Sequence, residues 1–147
     1  MKTVLLSILL ISVFNFSFCQ NSETQVFEVA ANVKIFLSSD LPVANLEGEN
    51  RYIQIGMLGN NNDVNELVGY MDRYIVNDQD MIASVDGTIS NETIDYYKFF
   101  LNPLYDANNF QQMLEMFKIK NFYVGTAEYP ISQFSNTIYA RIKSGGK

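Results

Sequence analysis

The 147-residue chain has no histidine and no tryptophan, only three prolines, and one cysteine. Without histidine there is no Ser-His-Asp triad, no Cys-His dyad and no imidazole-based zinc site. The one thiol, Cys19, sits at the end of an apolar leader, so a cut after it leaves a chain with no sulfhydryl. No disulfide then forms, and stability in an oxidising compartment must come from the core. Acid–base work would fall to carboxylates, tyrosine or lysine. Positive charge is also scarce, with 10 Lys and Arg against 16 Asp and Glu, a net charge of −6. Such a surface repels nucleic-acid phosphates and anionic lipid, and neither is an expected partner. These absences predict a protein that is not an enzyme and carries no cofactor.

One long apolar run is present, Val4 to Phe18, preceded by Lys2 and followed by Ser17-Phe18-Cys19 with small residues three and one positions before Gln20. That pattern predicts a secretory signal peptide over 1–19, with cleavage before Gln20. A membrane anchor fits poorly, because fifteen helical residues span only ~22 Å of the ~30 Å apolar thickness. Lipidation of Cys19 is the rival reading, and the only one that ties the chain to a membrane. Lipoprotein signals favour a small residue before the cysteine, where this chain has the bulky Phe18. The expected location is outside the cytoplasm, periplasmic or extracellular. A mature chain opening on glutamine resembles exported proteins of the Bacteroidota.

Apolar residues make up 48% of the chain, enough for one folded domain that buries roughly two-thirds of its unfolded surface. Residues 20–50 read as an N-terminal extension and loop, with two patterns competing over Val26 to Ser39. Phe27, Val29, Ala31, Val33, Ile35 and Leu37 alternate as in a strand; Val26, Val29, Ala30, Val33, Phe36 and Leu37 fit a helical stripe. Both readings stay open. Arg51 to Leu58 predicts a strand with Ile53, Ile55 and Met57 on one face and Gln54 on the other. Val64, Leu67, Val68, Met71 and Ile75 predict an amphipathic helix, with Asp63 and Glu66 at capping spacing. Two strands follow, Met81 to Ser90 and Thr93 to Leu101, turning at Asp86-Gly87 or at Ser90 to Glu92, with Asp-Gly the stronger local signal. A helix from Asn108 to Lys120 buries Phe110, Met113, Leu114 and Phe117, its start marked by Asn108 and Gln111. Phe122-Tyr123-Val124 reads as a short strand, and a last helix begins at Pro130. The order over 51–124 predicts an α+β, ferredoxin-like split βαββαβ sandwich, with 125–147 as a C-terminal helical extension.

Gly56-Met57, at the end of a strand and before a loop and helix, resembles the opening of heavy-metal-associated domains, the small copper-chaperone fold. That family carries Gly-Met-x-Cys-x-x-Cys; here Gly59 and Asn62 stand at the cysteine positions. The resemblance therefore implies the shape without the metal-binding activity, and no metal-site residue is assigned. Met113 and Met116 form a Met-x-x-Met pair, more simply core filler than copper ligands. Asp78, Asp80 and Asp86 could gather around calcium, but lack the EF-hand register. Asn91-Glu92-Thr93 matches a glycosylation acceptor, and no pair of carboxylates is spaced to single out a hydrolase. Alternation over 93–101 places Tyr97, Phe99 and Leu101 on one face, and Tyr96 and Phe100 on the other. Cover from the amino-terminal segment or the last helix is the simpler expectation for Tyr96 and Phe100; left open, they form an interaction surface. The functional expectation is a small exported, non-catalytic domain that binds a protein or small ligand. The alternatives are metal binding through methionine or carboxylates, and a carboxylate-dependent hydrolase.

Overall fold

A computed structural model describes residues 24–76, 79–91 and 94–145; the leader and Cys19 lie outside them. Both patterns in the ambiguous segment are realised in succession. A helix, α1, covers 24–31, and after a tight turn the chain becomes strand β1, Lys34–Leu37. The turn is closed by the Asn32 amide on the Val29 carbonyl at 3.1 Å. Val29, Ala30 and Val33 are buried from the helical stripe, Ile35 and Leu37 from the alternating one.

The remaining elements are β2 (Ala44–Asn45), β3 (Tyr52–Leu58), α2 (Asn61–Asp72), β4 (Ile75–Val76), β5 (Gln79–Asp80), β6 (Ile82–Asn91), β7 (Ile94–Leu101), α3 (Ala107–Met116), β8 (Asn121–Val124), β9 (Ala127–Pro130) and α4 (Phe134–Lys143). A 3₁₀ turn, Ile131–Gln133, leads into α4. The protein is α+β. Seven strands form one sheet in the order β6-β7-β3-β1-β8-β9, with β2 also paired to β3, while β4 and β5 make a separate ribbon. β1 lies between β3 and β8, antiparallel to the first and parallel to the second. Flanked on both sides, β3 buries Ile53, Ile55 and Met57 on one face and Gln54 on the other.

Several boundaries differ from the sequence expectation. α2 begins three residues early, because the N-cap is Asn60, whose side chain accepts from the Asp63 amide at 2.9 Å. Asp63 instead stands at the third helical position, where its carboxylate accepts from the Asn60 side chain. The helix stops at Asp72, and Ile75 belongs to β4. α3 is capped by Asp106, in a capping box with Asn109, rather than started by Asn108 and Gln111. Asp86-Gly87 is not the hairpin turn: it runs inside β6, paired with Lys98 and Tyr97, and the chain reverses between Asn91 and Ile94. Cross-strand packing outweighs turn propensity there, since the Tyr97 ring lies against Gly87. Finally, Ala127–Pro130 is a strand that pairs back on β8.

One core cluster runs from Val29 to Ile138 and draws on all four helices. They share the sheet face that carries Ile35, Leu37, Ile53, Ile55, Met57, Phe99, Leu101 and Phe122. At its centre Phe110 packs edge-on to Phe99 (5.5 Å) and stacks on Phe134 (5.9 Å), which meets Phe122 at 5.4 Å. Arg51 pins the connection between β7 and α3, donating to the carbonyls of Pro103 and Tyr105. Arg141 of α4 donates to the Ser38 carbonyl just after β1.

Candidate functional site

Strand alternation sends every second side chain to the face opposite the helices. From β1 these are Lys34 and Phe36; from β3, Tyr52, Gln54, Gly56 and Leu58; from β7, Ile94, Tyr96, Lys98 and Phe100; from β8, Tyr123. Among the described residues none of the four helices packs here. Tyr96 is buried yet lies outside the core cluster, and Phe36, Tyr52, Phe100 and Tyr123 are only half-buried.

Among the described residues, neither α1 nor α4 provides the cover expected for Tyr96 and Phe100. α1 and α4 spend their apolar residues on the other face, through Val29 and Ala30 and through Phe134 and Ile138. Tyr96 is nevertheless only 7% exposed, because its ring lies over Gly56, with Ile94 beside it. Gly56 pairs with Tyr96 on β7 and with Phe36 on β1, which in turn pairs with Tyr123 on β8. A row therefore crosses the sheet as Tyr96, Gly56, Phe36 and Tyr123. Phe36 and Tyr123 stack at 5.2 Å. A second row holds Phe100 and Tyr52, directly paired and edge-on at 6.0 Å.

Two cations sit on these rings. The Lys98 ammonium lies 4.9 Å from the centre of Tyr52, and that of Lys34 lies 5.5 Å from Tyr123. Burial first, and then the Glu128 carboxylate, pushes the Tyr123 hydroxyl above its ordinary pKa, so it stays a neutral donor through the physiological range. The face thus offers apolar rings, hydroxyl donors, two ammonium groups, and the carboxylates of Asp86 and Glu128, which pair in register with Lys98 and Tyr123.

Tyr96 and Phe100 share this face, as alternation predicted, but they stand in different rows, and only Phe100 keeps substantial exposure. The reading of the sequence missed Phe36, Tyr52, Lys98 and Tyr123. Tyr52 was within reach, being two residues from Gln54 in the same alternating strand. Phe36 and Tyr123 were not, because their adjacency depends on the pairing of β1 with β8.

The other expected constellations fall apart or fall outside. Met113 is fully buried in the core, whereas Met116 is 54% exposed and its sulfur accepts from the Tyr74 hydroxyl at 2.6 Å. Asp78, Glu92 and Thr93 lie outside the described residues. Among the described residues, no three acidic side chains converge as a metal site. Asp95 is on the exposed end of β7. Two polar networks do form among the described residues: Asp106 with Tyr139, Asn108 and Asn109 is a helix cap that ties α3 to α4, and Glu66, accepting from Gln25 and Tyr70, ties α2 to α1. Hollows of about 320 and 330 Å³ open on either side of the segment Lys118 to Lys120. No protein family, curated protein or solved structure matches this chain.

Proposed function

We propose that the chain is an exported, non-catalytic binding domain that docks a partner protein on the helix-free face of its sheet. The observation that carries this reading is the two-sidedness of the sheet. One face is closed by four helices, and the other carries five aromatic rings with no described helix over them. Half-buried rings with cationic partners are what protein interfaces enrich, whereas a solvated antiparallel face ordinarily alternates to polar residues. Export rests on the leader alone. In this reading the sheet is an elaborated split βαββαβ arrangement, in which β3, α2, β6, β7, α3 and β8 supply the ferredoxin-like order and β1 intrudes before the last strand. The kinship with heavy-metal-associated domains is then one of shape without the cysteine ligands.

Site-specific photo-crosslinking tests the face directly. A benzophenone side chain in place of Phe100 should give a discrete adduct in the native compartment. The same group in place of Gln112, exposed on α3, should give none. Adducts from both positions, or from Gln112 alone, would remove this reading.

A further inference from the structure

The end of α3 is closed by a Schellman turn: the Ile119 amide donates to the Leu114 carbonyl at 3.1 Å, and the Lys118 amide to that of Glu115 at 2.9 Å. The residue between cap and strand in such a turn takes the left-handed conformation, where glycine is favoured. Here it is Lys118, at φ 62°, the single described non-glycine residue with positive φ. The backbone bears this strain for a side chain whose ammonium makes no hydrogen bond to the helix-end carbonyls. It lies instead 5.7 Å from the centre of the Phe27 ring.

Lys118 borders the cleft of about 330 Å³ together with Lys34, Lys120, Ile119, Asn121 and Tyr123. Three of the chain's 10 basic residues line it, and none of the described acidic residues does. Among the described residues no ion pair engages any of the three lysines. The neighbouring Glu128 carboxylate is held by the Asn121 side chain across the β8–β9 hairpin. The hollow on the other side of the segment, by contrast, includes Glu115 in its wall. We infer that the cleft bordered by Lys34, Lys118 and Lys120 binds a small organic anion, a carboxylate or phosphate carried on a short apolar body. Ile119 and the Tyr123 ring supply the apolar wall, and the lysines supply the charge. The volume is at the lower end of the ~300–1,000 Å³ typical of small-molecule sites. Because the chain as a whole is anionic, the attraction is local and weakens with salt.

Titration of the ¹⁵N-labelled protein with phenyl phosphate, and with phenol as its uncharged counterpart, tests the cleft independently of the crosslinking above. Phenyl phosphate should give saturable amide shifts confined to 31–34 and 118–123, and phenol should give none. Lys118→Gly suits the turn, so this variant should melt no lower than the parent yet bind at least about tenfold more weakly. Combining it with Lys34→Gln should abolish saturation up to roughly 10 mM ligand. Equal shifts with phenol, shifts centred elsewhere, or unchanged affinity in Lys118→Gly would each overturn the inference.

Discussion

Gly56 shows how a single side chain's absence shapes the aromatic face. A Cβ built there would stand 2.6 Å from Cγ2 of Ile94 and 2.8 Å from Cε1 of Tyr96, closer than any real contact. The glycine is thus the seat of the Tyr96 ring, and it lets a tyrosine be buried on a face that has no described helix over it. Gly56→Ala should cost about 1–3 kcal/mol by overpacking, read as a lower midpoint in urea. Tyr96 fluorescence should become more accessible to quencher in the same variant. A midpoint equal to the parent's would mean that the ring does not rest there. The sequence presented Gly56 only as a strand residue beside Met57. Its role depends on Tyr96, forty residues away, and no local pattern carries that pairing.

The elements themselves were legible where periodicity is long and one-sided, as in α2, α3 and α4. Their caps were less so, because Asn, Asp and Gln recur around each start and only geometry picks the residue that turns back on the helix. Asp106 is the clearest case. Burial works against its charge, yet hydrogen bonds from Tyr139, Asn109 and Asn108 together hold the carboxyl below its ordinary 3.8. A lowered carboxyl contributes stability that is complete above the unfolded pKa and is lost as pH falls through the folded one. Tyr139 has the opposite sign: burial, then the bond to Asp106 and its charge, raise the phenol above 10.0. Its contribution is complete below the unfolded pKa and is lost as pH rises through the raised folded value. Asp106→Ala should cost about 1–2 kcal/mol at pH 7, a gap that narrows in acid as the parent's own carboxyl protonates. Tyr139→Phe, which removes the hydrogen bond to Asp106, should lower the neutral midpoint and flatten the alkaline limb, so that the gap to the parent closes as pH rises through the raised folded value. Denaturation midpoints measured across pH check both. A gap that persisted unchanged below the carboxyl range would show that the cap acts through shape and not charge.

On the scale of the whole molecule, the strand order was the least legible feature. The central elements read in the right sequence, but the pattern could not announce that β1, ahead of them in the chain, inserts between β3 and β8. Four residues with two core-facing side chains fit several slots, and the choice is made by register: Ile35 opposite Met57 on one side and Phe122 on the other. The outcome is one sheet with two unlike faces, and the two faces make different energetic predictions. Phe134 is fully buried between Phe110 and Phe122 on the helix side. Phe134→Ala removes a ring from a closed core and should cost about 3–5 kcal/mol. Tyr52 sits half-buried on the open side, against Phe100 and under Lys98. Tyr52→Ala loses one edge-on ring contact and one cation contact at a solvated surface, and should cost about 1 kcal/mol. Urea denaturation of the two variants separates the faces by the difference in midpoint at constant slope. If Tyr52→Ala were as costly as Phe134→Ala, the aromatic rows would be a second core, already covered within the isolated chain, and no docking surface would be left there for a partner.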